Sequence, residues 1–254
     1  MKIQKNLLKF IYNVLLIGTP QVTHNPINKN KLYIPLNVKP YSTYLNFKLN
    51  NEQKEYLNNY IWEFSNDLSI IPIKMSFFTK PNYYLSVNIY NCSSPILLEN
   101  KNITRCEVNT YVIDKNGKKS TVILDYTSNG ISMDPVNIYK KKDEIFFLKE
   151  NNNNIIDVFS KKDKINLKLD YNLHNNINYE ISKKLIKYTD DIYYKNGILD
   201  KVYYDSTLVN AKLKITRKYK DFYFKYKELS FNKIDSLFYF ENNIDFIGSM
   251  WHNL

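Results

Sequence analysis

The 254-residue chain has a single alanine, Ala211, two arginines, Arg105 and Arg217, five glycines, eight prolines, two cysteines and three histidines. So little glycine and proline excludes a collagen-like or linker-dominated chain. A hydrophobic fraction of 44% with 15% aromatics excludes wholesale disorder, and the length is enough for one large core or two small ones. Cys92 and Cys106 form neither a CxxC pair nor a disulfide framework, so reduced thiols and a cytoplasmic location are expected. His24, His174 and His252 are scattered without an HExxH or Cys/His cluster, so no metal site is expected. Walker A, GxGxxG and GxSxG patterns are all missing, which gives no support for a nucleotide cradle, a nucleophilic serine or any cofactor. No apolar run is long enough to span a bilayer. Leu7 to Gly18 comes nearest, but Lys9 and Asn13 interrupt it and no small-x-small cleavage site follows. A packed helix using Leu7, Ile11, Val14 and Leu15 is expected there.

What is abundant is lysine, asparagine, tyrosine and phenylalanine. Lysine and arginine together number 36 against 25 acidic residues, a net charge of +11. A polyanionic partner would ordinarily follow from that balance. However, lysine, asparagine, isoleucine, tyrosine and phenylalanine all have A/T-rich codons, whereas alanine, glycine and most arginine codons are G/C-rich. A very A/T-rich genome explains the charge, and nucleic acid is not an expected partner. Where lysine replaces arginine nearly everywhere, a retained arginine marks a position that needs a planar, permanently charged fork.

Residues 19–50 hold four of the eight prolines and read as an irregular arm with short extended pieces. Asn50-Asn51-Glu52 then opens a helix, with Tyr56, Leu57, Tyr60, Ile61 and Phe64 at helical spacing. Beyond Pro72 the period changes to two. Strands are expected at Tyr83–Tyr90, where Tyr83, Leu85, Val87 and Ile89 alternate with Tyr84, Ser86, Asn88 and Tyr90, and at Ile103–Ile113 and Ser120–Tyr126, the last two joined by a tight turn at Asn116-Gly117. Others are expected at Ile165–Leu169, Val202–Tyr204, Leu208–Ile215, Phe222–Tyr226 and from Phe238 towards Trp251, with a second turn at Asn196-Gly197 and a loop or low-complexity insertion at Asn151–Asn154. The expected class is α+β, mainly antiparallel β, with a few helices and a cone-like or partly open β-barrel. The expected organisation is an N-terminal helix and arm over 1–50 and a single β-rich domain over 51–254.

The strand Arg105-Cys106-Glu107-Val108-Asn109-Thr110-Tyr111 carries the most chemistry. Period two puts Arg105, Glu107, Asn109 and Tyr111 on one face and Cys106, Val108, Thr110 and Val112 on the other. The first face can grip a small polar or anionic ligand inside a barrel; alternatively it is a solvated outer face with a weak surface ion pair. The following run, Asp125 to Asn137, is dense in hydrogen-bonding groups, and Asp125, Ser128, Asn129 and Met133 are candidate ligand contacts at a barrel mouth. Its alternative is a structured turn with Asp134 ahead of Pro135.

Two motifs then resemble the acetoacetate decarboxylase-like superfamily. Arg105-x-Glu107-x-x-x-Tyr111 is similar to its Arg-Glu-x-x-x-Tyr strand, and Leu208-Val209-Asn210-Ala211-Lys212-Leu213 to its Leu-Ile-Asn-Ala-Lys-Ile strand. The strand and Asn-Gly turn at Ile192–Gly197 precede the second motif as in that family, and the likeness runs from about residue 65 onwards. The resemblance implies a cone-like barrel with a central pocket, homo-oligomerisation, and decarboxylation of β-keto acids through a lysine Schiff base. Arg105 and Glu107 would position the substrate carboxylate. The chain departs from the family in two places. Cys106 separates the Arg and Glu that are adjacent there, and Ile113 stands where the imine-forming lysine stands. Lys115, two residues on, is the nearest replacement amine.

The expected function is thus an acetoacetate decarboxylase-like protein that binds a small carboxylated or carbonyl compound at Arg105, Glu107, Asn109 and Tyr111. Turnover as a lyase depends on Lys115. The alternative is a non-enzymatic structural or interaction protein of a virus or parasite, with 23 tyrosines and 14 phenylalanines available for contacts.

Overall fold

The computed structural model describes residues 31–39, 42–63, 65–74, 80–93, 103–117, 119–129, 144–150, 153–162, 164–172, 191–196, 198–206, 213–216, 219–240 and 244–251. They form one helix, α1 (Asn51–Trp62), and sixteen strands, so the class is α+β and mainly antiparallel. The expected N-terminal helix, Met133 and all of the Leu208–Leu213 motif except Leu213 lie outside the described residues.

The larger sheet has eleven strands. They comprise β1 (Lys31–Val38), β2 (Thr43–Lys48), β3 (Leu68–Ile70), β4 (Tyr84–Ser93), β5 (Ile103–Asp114), β6 (Lys119–Ser128), β10 (Asp191–Asn196), β11 (Ile198–Ser206), β12 (Leu213–Thr216), β15 (Ser236–Phe240) and β16 (Ile244–Trp251). The second sheet has five: β7 (Glu144–Glu150), β8 (Asn153–Ser160), β9 (Ile165–Asn172), β13 (Tyr219–Tyr226) and β14 (Leu229–Phe231). The expected hairpins form β5–β6 and β10–β11.

Two expectations are corrected. The supposed arm contains β1 and β2, both paired within the larger sheet. Pro35 obscured β1, but among the described residues the second edge of that strand is paired only at Asn37 and Val38, so a missing N–H at residue 35 is tolerated. The asparagine loop is shorter than expected, because Asn153 and Asn154 already pair in the β7–β8 hairpin. The larger sheet, as described, is not closed into a barrel. Pairing does run from β4 through β1, β16, β11, β10 and β6 to β5, and β5 pairs with β4 again. Yet β1 meets β4 over two residue pairs, and β10 meets β6, in parallel, over three.

The helix starts where the sequence places it. Asn50 accepts from the Gln53 backbone N–H at 2.8 Å and Gln53 returns the bond to the Asn50 N–H at 3.0 Å, a reciprocal cap. Leu57 and Ile61 are fully buried, and Asn58 Oδ1 accepts from the Ile70 N–H at 3.0 Å, tying α1 to β3. One face of β4 and β5 (Leu85, Val87, Ile89, Cys106, Val108, Val112) shares a core with α1 and with Ile156, Leu167 and Phe224 of the smaller sheet. Phe47, Phe224 and Phe231 form its aromatic centre, with ring centroids 4.8–5.5 Å apart. The opposite face of β4–β5–β6 carries the polar residues.

Candidate functional site

Cross-strand register assembles that polar face row by row. Asn46 of β2 lies opposite Ser86 of β4, which lies opposite Asn109 of β5. In the next row are Asn88, Glu107 and Tyr126, and in the next Tyr90, Arg105 and Ser128. Tyr111 and Thr121 continue the face at its other end. A row of amides, hydroxyls and charges would ordinarily face water, but this one is buried. Arg105 is 6% exposed and Glu107 5%, which removes the alternative of a solvated outer ion pair.

The charged pair is held rigidly. Arg105 Nε donates to Glu107 Oε1 at 2.7 Å, and the Tyr90 hydroxyl donates to the same oxygen at 2.7 Å. The guanidinium carbon lies 4.1 Å from the Tyr126 ring centroid, a cation–π contact on its flank. A lysine could keep the charge here but neither the fork nor the stacking, which accounts for an arginine in a chain that avoids it. The Tyr111 and Ser86 hydroxyls share a 3.3 Å hydrogen bond, and the single Ser86 O–H donates to Asn46 Oδ1, which leaves Tyr111 as the donor to Ser86. Beyond Tyr90 the Cys92 thiol is pushed up to about 12, first by burial; Glu107 raises it further and Arg105 opposes this. It is a neutral wall group, not a nucleophile.

Of the candidates from sequence, Arg105, Glu107, Asn109, Tyr111 and Ser128 share this face. Asn129 borders it and has a backbone role: its Oδ1 accepts from the Thr104 N–H at 2.9 Å, and its own N–H donates to the Thr104 carbonyl at 3.1 Å.

Asp125 is elsewhere. A bulge at Leu124 shifts the β5–β6 register between Val108 and Asn109, and Asp125 falls opposite Val108 on the face turned to the smaller sheet. There the Tyr226 hydroxyl donates to it at 2.6 Å and the Tyr60 hydroxyl at 3.2 Å, while Lys227 Nζ lies 3.2 Å away. This cluster joins α1, β6 and the β13–β14 turn. It pushes both phenols up, mainly through burial and then through the charge of Asp125.

Lys115 is also elsewhere. It stands in the exposed β5–β6 turn, 2.8 Å from Asp67, and that hydrogen bond raises its pKa. Imine formation needs a neutral amine in a desolvated pocket, so this lysine has neither the place nor the protonation state.

Tyr90, Tyr126, Asn88, Ser86 and Asn46 were not singled out in the sequence. Tyr84, Ser86, Asn88 and Tyr90 alternate with Leu85, Val87 and Ile89, and only pairing with β5 shows what they face. Among the described residues no group of three His, Cys, Asp or Glu comes together to hold a metal, and no helix is long and apolar enough to cross a membrane. Comparison of the chain with protein-family models, curated proteins and solved structures finds no match.

Proposed function

We propose that this protein binds a small carboxylated or carbonyl compound on the polar face centred on Arg105 and Glu107, without forming an imine. We read the pairing circuit around β4 and β5 as a partly open, acetoacetate decarboxylase-like barrel with this face inside it. The observation that carries the reading is the buried Arg105–Glu107 pair, 2.7 Å apart, on a strand face that is polar yet shielded from water. A buried ion pair is poor value as a stabiliser compared with apolar packing, so its retention favours a binding role.

Titration calorimetry on the full chain with β-keto acids, α-keto acids and uncharged carbonyl compounds tests this. Binding to the wild type that is abolished in Arg105→Lys, with folding intact, is the expected result. Unchanged affinity in that variant would remove the site assignment. Borohydride trapping read by intact mass is expected to give no adduct.

The non-enzymatic interaction reading has one observation in its favour: Phe159 and Tyr223 of the smaller sheet are exposed. A concentration-dependent oligomer that dissociates in a Phe159→Lys, Tyr223→Lys variant, with no ligand bound, would favour it.

A further inference from the structure

Asn88 and Asn109 are 8% and 6% exposed, and the Oδ1 atom of each is buried with no hydrogen-bond donor. Nδ2 of Asn46, in the same row as Asn109, is likewise buried with no acceptor. Orphaned polar atoms of this kind are rare in a folded interior and costly to leave unmade. These three amide atoms on one strand face, beside the ion pair, form a recognition pattern: two acceptors and one donor. The register makes Asn88 and Asn109 diagonal neighbours on β4 and β5, about 7–8 Å apart, within reach of a single small molecule.

Charge narrows the ligand further. Among the buried residues described on this face only Arg105 and Glu107 carry formal charge, and they already neutralise each other at 2.7 Å. An incoming carboxylate would add a second buried negative charge to a pair that is already neutral and leave it uncompensated, an arrangement that is disfavoured. A neutral compound with adjacent hydroxyls meets no such penalty. Its two O–H groups supply the donors that Asn88 and Asn109 lack, and a hydroxyl or carbonyl oxygen supplies the acceptor for Asn46.

Resting on the reading of this face as a ligand site, we infer that its ligand is a neutral polyhydroxylated carbonyl compound, of the aldose or ketose class, and not a keto acid.

The test is titration calorimetry on the full chain with D-ribose, D-glucose and dihydroxyacetone against D-gluconate, pyruvate and acetoacetate. At least one neutral compound is expected to bind, at least tenfold more tightly than any of the anions. Asn88→Leu and Asn109→Leu break no hydrogen bond that these side chains make in the structure, so each is expected to weaken the neutral ligand at least tenfold without lowering the unfolding midpoint of the free protein. Preferential, Arg105-dependent binding of an anion would overturn the ligand class and leave the site reading standing. Binding of a neutral compound that neither asparagine variant changes would overturn this inference alone. Absence of binding across the whole panel would overturn the inference and count against the site reading as well. The wild-type selectivity decides the ligand class whatever the folding of the variants.

Discussion

The Tyr226 hydroxyl of β13 donates to Asp125 of β6 at 2.6 Å, joining the smaller sheet to the larger one on the side of β6 opposite Arg105. Two polar systems therefore sit back to back through one strand. One, around Asp125, fastens the sheets together. The other, around Arg105 and Glu107, is buried on the opposite face and has orphaned amides beside it.

The fastening predicts alkaline lability. Tyr226 is pushed well above the ordinary phenol value, and Tyr84 up to about 12, in both cases first by burial. Groups whose folded pKa is raised hold their proton in the native state, so their contribution is complete below pH 10 and is lost as pH rises towards the folded value. Stability should thus be level near neutrality and fall above pH 10, by about 1.4 kcal/mol per pH unit for each such tyrosine. Tyr226→Phe should make that slope shallower by about one proton and cost about 1–2 kcal/mol at neutral pH. Urea unfolding between pH 7 and 11 checks both.

A double-mutant cycle addresses the other system. Arg105→Leu leaves the Glu107 carboxylate buried without its cation and should cost about 3–5 kcal/mol. Adding Glu107→Leu should recover most of that loss, because the double variant buries no unpaired charge. Denaturant midpoints of the four proteins give the coupling energy, and additive losses would show that the two side chains act independently.

Lys115→Ala is expected to change neither the unfolding midpoint nor ligand affinity, since the residue is exposed in a turn and paired only with Asp67. A borohydride-trapped adduct mapped to Lys115 would contradict this.

Both free cysteines are buried, and the Cys92 thiol is pushed up to about 12. Disulfide reagents should leave the native protein unmodified at pH 8 and label two thiols once it is unfolded. Rapid labelling of one thiol in the native state would mean that the Cys92 end of the polar face opens to solvent.

The sequence by itself determined the features that depend on neighbours in the chain. The Asn50 cap and the apolar spacing of α1 are local, and so are the alternation of β4 and β5 and the Asn116-Gly117 turn. That alternation alone put Arg105, Glu107, Asn109 and Tyr111 on one face.

Only the tertiary structure decided whether that face met water or protein, because burial depends on strands far away in the chain. It also decided the partners of the pair: Tyr90 and Tyr126 reach Glu107 and Arg105 through register with β4 and β6, which no local pattern encodes. The bulge at Leu124 moved Asp125 out of the candidate site, since one extra residue in a strand reverses the side to which the next side chains point. Lys115 lies away from that face for a matching reason. Adjacency to Tyr111 in sequence carried it past the strand end into a turn, where Asp67, 48 residues earlier in the chain, holds it in solvent.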